Sequence, residues 1–325
     1  MHPDDLADLL IDSKTLRLGT SWREIRRRVE SGDLVPTHRG SHVSGEALRG
    51  LHREQQHLLQ VLAVNRAEKT DNSAVSHVSA GAAWDLPLYG ITPRAVHTTL
   101  RHGLEVHSSR AVVRHRDALS EADVIEVRGI RCTSLERTVI DIARSTPLRT
   151  AVAAADAAFR QVAWDEGRRS YDAERAERFR DELTSRVARM AGRRGVRQAR
   201  HVIDFADGRA QLPGESVSRV LLDELGFRDL RLQVPIGNGR GGFFHVDFGL
   251  EDAAAWGEFD GLGKYLDPDL SGTLTPREVL RSEKEREDWI RAKTGRPIAR
   301  WTFEHLGSAG ALRRRLAAYG IRAPR

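Results

Sequence analysis

Cysteine is almost missing: Cys132 is the single one in 325 residues, which excludes a disulfide within the chain and any zinc site built from cysteines. An apolar run long enough to cross a bilayer, about 20 residues, is also lacking. The opening MHPDDLADLL puts acids where a secretory signal needs basic residues. Together these absences predict a cytoplasmic protein with no membrane partner. Lysine is scarce beside arginine, which suits bidentate phosphate contacts better. The formal net charge of +6 and pI of about 9.9 favour polyanionic partners. Metal-type histidine spacing is missing too. His77, His97, His102, His107 and His115 show neither i, i+4 nor short-loop intervals, so the middle of the chain predicts a folded α/β module without visible chemistry.

What is present suits an ordinary globular chain, 40% hydrophobic and 30% charged, with room for two or three domains. Residues 4–11 have a helical pattern. A capping-box spacing from Ser21 to Glu24 opens a second helix with Trp22, Ile25 and Val29 inward and Arg23, Arg26, Arg27 and Arg28 largely outward. Two short strands around Arg39-Gly40 follow. Helix, basic helix and basic-tipped hairpin is the layout of a winged helix-turn-helix, here with two helices instead of three. Arg23, Arg26, Arg27 and Arg39 are its candidate DNA contacts, and a solvated helix face plus surface hairpin is the competing reading. Residues 46–68 form a helix with His52 and His57 outside. Strands and a helix capped near Ser134 complete a module over 46–164, and a charged helical linker fills 165–212.

The richest stretch is 243–264, FFHVDFGLEDAAAWGEFDGLGK. If its arms pair across a turn at 251–254, Asp247 and Glu258 oppose each other, about 5 Å apart at Cβ. Asp260 shares their face by the period of two. Carboxylates this close need neutralisation or a cation; a solvated strand face is the bland alternative. The surrounding elements over 213–325 run helix, three strands, helix, strand, helix.

In that order, Glu215-Ser216, Val246-Asp247-Phe248, Glu258-Phe259-Asp260-Gly261 with Lys264-Tyr265, and Glu283 to Glu287 resemble the PD-(D/E)XK nuclease superfamily, in its very-short-patch-repair-endonuclease-like group. The N-terminal half is similar to AbiEi-type antitoxins of type IV toxin-antitoxin systems. That likeness rests on the truncated winged-helix unit over 1–45, Ser76-His77-Val78-Ser79-Ala80, Leu86-Pro87-Leu88 and Thr133 to Thr138 with Asp141 to Arg144. The resemblance implies an α/β (α+β) chain: a degenerate winged helix-turn-helix, a middle α/β module, and a restriction-endonuclease-like core with a central mixed sheet flanked by helices.

It further implies that Asp247 and Glu258, with Glu215 as an outer carboxylate, hold Mg2+ (or Mn2+), which would activate a water against a phosphodiester. The superfamily's usual lysine is replaced by Asp260. Lys264 and Lys284 are candidate substitutes, Gln233 could orient water, and Asp260 as a third metal ligand stays open. Two functions follow. One is a DNA-binding metal-dependent endonuclease. The other is a non-enzymatic, antitoxin-like regulator, with a possible cognate toxin as partner, whose nuclease-like domain is catalytically silent.

Overall fold

The computed structural model describes residues 3–67, 72–100, 107–168, 170–261 and 276–324; Lys264 and His102 lie outside the described residues. The chain is α+β and divides into two compact units, Met1–Ala154 with Arg178–Asp204, and Ala155–Glu177 with Phe205–Arg325. No helix among the described residues is long and apolar enough to cross a membrane.

The first unit opens with α1 (Pro3–Asp8), β1 (Ile11–Asp12), α2 (Ser13–Gly19) and α3 (Trp22–Glu30), followed by the hairpin β2 (Leu34–His38) and β3 (Ser41–Ser44). Three helices precede the hairpin where the pattern predicts two. The extra one, α2, starts at Asp12, whose carboxylate accepts the Lys14 backbone N–H at 2.6 Å and satisfies one donor that a helix start leaves open. β1 pairs with β3, giving a sheet of order β1-β3-β2. Ser21 caps α3 by accepting the Glu24 N–H. Ile25 is buried as expected, but Trp22 is 64% exposed. The Arg17 guanidinium lies 5.2 Å from its ring centroid, a cation–π contact that holds the indole outside.

Next come α4 (Gly45–Gly50), α5 (Arg53–Ala67), β4 (Ser73–Val75) and α6 (His77–Ala83), then β5 (Val96–Leu100), β6 (Val112–Arg116), β7 (Val124–Val127), β8 (Ile130–Thr133) and α7 (Leu135–Ser145). Their mixed sheet has the order β6-β5-β4-β8-β7. Helix α5 is covered by protein on most sides, so His57 is buried at 2% instead of surface-exposed, with Nε2 2.9 Å from Ser79 Oγ. Ser134 caps α7 by accepting the Arg137 N–H.

The segment 165–212 is helical and divides between the two units. After α8 (Leu148–Ala163), β9 (Trp164–Asp165) and β10 (Ser170–Tyr171), it forms α9 (Ala173–Ala188) and α10 (Val196–Phe205). Both helices bury apolar stripes, including Phe179, Leu183, Val187, Val202 and Ile203. Several of its arginines are also structural. Arg186 pairs with Asp123 at 2.7 Å and Glu182 at 2.9 Å, and Arg193 pairs with Asp117.

The second unit runs α11 (Pro213–Glu224), β11 (Leu230–Gly237), β12 (Phe243–Leu250), β13 (Ala255–Phe259), α12 (Pro276–Thr294), β14 (Ile298–Trp301) and α13 (Ala309–Ala318). Its sheet has the order β11-β12-β13-β14, with the first three strands antiparallel and β14 parallel to β13. A short 3-10 turn at Glu251–Ala253 and left-handed Ala254 join β12 to β13. A Cβ on Gly214 would collide with the Phe259 ring. That glycine therefore lets the start of α11, and Glu215 with it, come down onto the sheet.

Candidate functional site

The β12–β13 register pairs Phe248 with Gly257 and Leu250 with Ala255; continued one step, it sets Asp247 opposite Glu258. Among the described residues the two acids have different partners. Asp247 Oδ2 accepts the Phe259 backbone N–H at 2.8 Å, and Oδ1 is 3.3 Å from Gln233 Nε2. The same Gln233 nitrogen is 3.2 Å from Glu215 Oε2, which also accepts the Gln211 N–H. Gln233 thus ties the helix acid to the strand acid. It does so from a left-handed backbone, φ 50°, which interrupts the β11–β12 pairing between Leu232 and Val234 and costs about 1–3 kcal/mol in a non-glycine residue.

Glu258 is only 6% exposed and is neutralised by arginines. Its Oε2 lies 2.9 Å from Arg300 Nη2, because parallel pairing of β13 with β14 puts these two residues side by side. Its Oε1 lies 2.7 Å from Arg286 Nη2. This second contact is ionic without a directed hydrogen bond, since Arg286 Nη2 donates to the His245 carbonyl at 2.6 Å. Burial lowers the Arg300 pKa, but Glu258, Asp260, Glu287 and Glu283 outweigh it and hold the guanidinium above its ordinary value. Asp260 is farther off, 3.9 Å from Arg300 Nη1.

These groups line a cleft of about 860 Å³ within the second unit. Asp247, Glu258, Asp260 and Glu283 lie beside Arg286 and Arg300, and Arg160, Trp164, Tyr171 and Arg209 also line it. Arg160 stacks 4.1 Å from the Trp164 ring centroid, and its buried Nη1 has no hydrogen-bond partner. Arg209 is forked onto Asp207 at 2.7 Å. Of the residues singled out from sequence, Gln233, Asp247, Glu258 and Asp260 line the cleft, and Glu215 reaches it through Gln233. Lys284 is exposed and does not line it. The arginine–aromatic side was missed because Arg160 to Tyr171 precede the core in sequence and carry no motif.

The fit to Mg2+ is poor as the side chains stand. Arginines occupy both Glu258 oxygens, and Asp247 accepts from the Phe259 N–H and from Gln233. Among the described residues the carboxylates form no group of three whose ligand atoms converge within metal-binding reach.

Such a group does occur in the first unit, where sequence spacing predicts none. Ligand atoms of His77, His97 and His115 lie within 4.8 Å of one another. β5 and β6 pair His97 with Val113 and Thr99 with His115, so His97 and His115 are diagonal neighbours on one face. His115 Nε2 is 3.0 Å from His97 Nδ1. His77, at the start of α6, stacks on His115 with ring centroids 3.7 Å apart. Burial and neighbouring positive groups keep all three imidazoles below the usual histidine pKa, His97 at about 4. Beside them, Asp141 faces Arg137 at 3.0 Å and His77 at 3.8 Å, while Asp117 takes Arg137 at 3.1 Å and Arg144 at 3.2 Å.

The proposed DNA contacts Arg23, Arg26, Arg27 and Arg39 are all exposed on α3 and the β2–β3 turn. Arg27 is also 2.8 Å from Glu24.

No family model matches this chain. It is 30% identical over 142 residues to the Mycobacterium tuberculosis proteins named uncharacterized protein MT2308 (strain CDC 1551 / Oshkosh) and uncharacterized protein Rv2248 (strain ATCC 25618 / H37Rv). Each match covers 44% of this chain, and the chain spans about half of the length of these relatives, 47%. A crystal structure of the RV2827C protein from Mycobacterium tuberculosis is similar at 15% identity, covering 67% of this chain and 78% of that one with a TM-score of 0.36.

Proposed function

We propose that this is a nucleic-acid-binding protein whose second unit is a nuclease-like module kept for binding, closer to an antitoxin-like regulator than to an endonuclease. The observation that carries this is the double arginine clamp on Glu258. Arg286 and Arg300 already neutralise the carboxylate that the nuclease resemblance makes a metal ligand, so hydrolysis needs a rearrangement that binding does not. Arg160 on Trp164, and Tyr171 beside Arg209, offer what a single strand needs, cations for phosphates and flat faces for bases. In the first unit, three helices before a hairpin, with exposed arginines on α3, support a winged-helix-type DNA contact. A DNA operator is the expected partner, and a cognate toxin is compatible with the regulator reading.

A second reading, a Mg2+- or Mn2+-dependent endonuclease, is favoured by one observation: the strained Gln233 bridge between Glu215 and Asp247. Incubating the protein with plasmid, single-stranded DNA and RNA in Mg2+ or Mn2+ separates the two. The regulator reading expects salt-sensitive binding and no cleavage by wild type or Glu258→Ala. Cleavage that disappears in Glu258→Ala would establish the endonuclease instead. Absence of binding to every substrate would remove both.

A further inference from the structure

We propose that His77, His97 and His115 form a site for a borderline divalent transition metal ion of the Zn2+ class, with one coordination position left for an outside ligand. Three features of the first unit carry this. Three imidazoles from three elements converge within 4.8 Å, and three nitrogen ligands are the inventory of zinc sites that keep an open fourth position. Imidazole also selects Zn2+, Co2+ or Ni2+ over Mg2+ and Ca2+, which prefer oxygen.

The second feature is backbone strain. His77 has φ 54°, a conformation costly for a residue with a Cβ. It is held there with its Nδ1 3.0 Å from Ser76 Oγ, which Thr99 Oγ1 meets at 2.8 Å. This fixes one ring nitrogen of His77 and leaves the other for the cluster.

The third is the carboxylate behind it. Asp141 is 1% exposed, with Oδ2 3.8 Å from His77 Nδ1 and 3.0 Å from Arg137 Nε, and Oδ1 3.9 Å from Arg144 Nη1. A carboxylate behind a liganding imidazole is the usual outer support of a metal site, orienting the ring and raising its basicity. On loading, the His97–His115 hydrogen bond opens, and its donor moves the N–H to its other ring nitrogen. Both rings then turn a lone pair to the ion, and the His77–His115 stack, 3.7 Å between centroids at 17°, opens as well, because an imidazole lone pair lies in the plane of its ring. Ligand nitrogens up to 4.8 Å apart must also close by about 1–1.5 Å to reach bonds of about 2.0–2.1 Å.

The test is dialysis of the full chain against Co2+, which reports its own coordination through visible absorption, and then displacement by Zn2+. Wild type should take up about one equivalent with a nitrogen-ligand spectrum. His97→Ala and His115→Ala should each weaken binding at least about 10-fold, and His52→Ala, at an exposed position, should not. Should the variants fail to fold, carbethoxylation of the wild type decides: Zn2+ should shield His77, His97 and His115 from the reagent and leave His52 reactive. No uptake, equal uptake by the cluster variants and wild type, or no shielding would each overturn the site, leaving a dry histidine stack.

Discussion

In the first unit Arg137 stands against Asp117 and Asp141 with its side chain 6% exposed and theirs 13% and 0%. In the second, Arg286 and Arg300, 25% and 20% exposed, close on Glu258 beside an open cleft. Both are arginine–carboxylate clusters, but the Arg137–Asp141 pair is closed off on both sides while the arginines on Glu258 are partly exposed. A sealed pair cannot exchange partners without exposing a buried charge. A pair at a cleft can hand its arginine to an incoming phosphate.

The sharpest way to break this contrast is to delete one arginine. Arg137→Ala leaves Asp141, 1% exposed, without its hydrogen-bonded cation, while Asp117 keeps Arg144 and Arg193; the loss should cost about 3–5 kcal/mol, read as a lowered urea midpoint. A loss under about 1 kcal/mol would mean that water enters the cluster and that the two sites are alike. The second unit has a sealed pair of its own, Arg219 Nη1 on Asp156 Oδ2 at 2.7 Å. Arg219→Ala should behave like Arg137→Ala, which would show that burial decides the outcome.

The next effect is a pH dependence confined to the sealed interior. Burial first, and His97 second, lower the His57 pKa to about 4, against about 6.5 in an unfolded chain. The unfolded state therefore takes up the proton first. Stability is intact above about pH 6.5 and falls as pH drops toward 4, by roughly 3 kcal/mol at 1.4 kcal/mol per unit. Unfolding free energies across that range should slope less in His57→Gln. An equal slope in variant and wild type would place the titration elsewhere.

How legible these sites are in sequence follows from how far apart their parts lie. Asp247 and Glu258 are joined by one turn, and alternation along two adjacent arms fixes which side chains share a face, so their opposition can be read. The arginines that meet Glu258 cannot. Arg300 arrives by a parallel pairing after a helix, and Arg286 by the packing of that helix. The histidines are harder still, because each sits on a different element and the β5–β6 register brings two together. His57 and Trp22 fail for a simpler reason: periodicity shows a stripe, but not what else covers the helix or which cation holds an indole outside.

At the cleft, Arg300→Ala should cost only about 1 kcal/mol of stability, because Arg286 stays on Glu258 and water can replace the lost contact. On the proposed nucleic-acid-binding reading its larger effect is on binding: losing one cation of the cleft should reduce the slope of log affinity against log salt by about 0.7–0.9. A stability loss near that of Arg137→Ala, with an unchanged slope, would make Arg300 a structural residue and erase the difference between the two clusters.

The smallest effect should come from α3. Arg26 is exposed on a short helix, and surface substitutions of this kind stay within about 0.5 kcal/mol in stability. Arg26→Ala should therefore leave the urea midpoint in place while flattening the salt dependence of DNA binding by about one unit. Arg27→Ala should flatten it less, since Glu24 at 2.8 Å already draws on that guanidinium and its release of counterions is smaller. Equal slopes for the two variants would mean that the ion pair opens when DNA binds. Slopes equal to wild type in both would move the DNA contact off α3 and leave the arginine-lined cleft as the nucleic-acid surface.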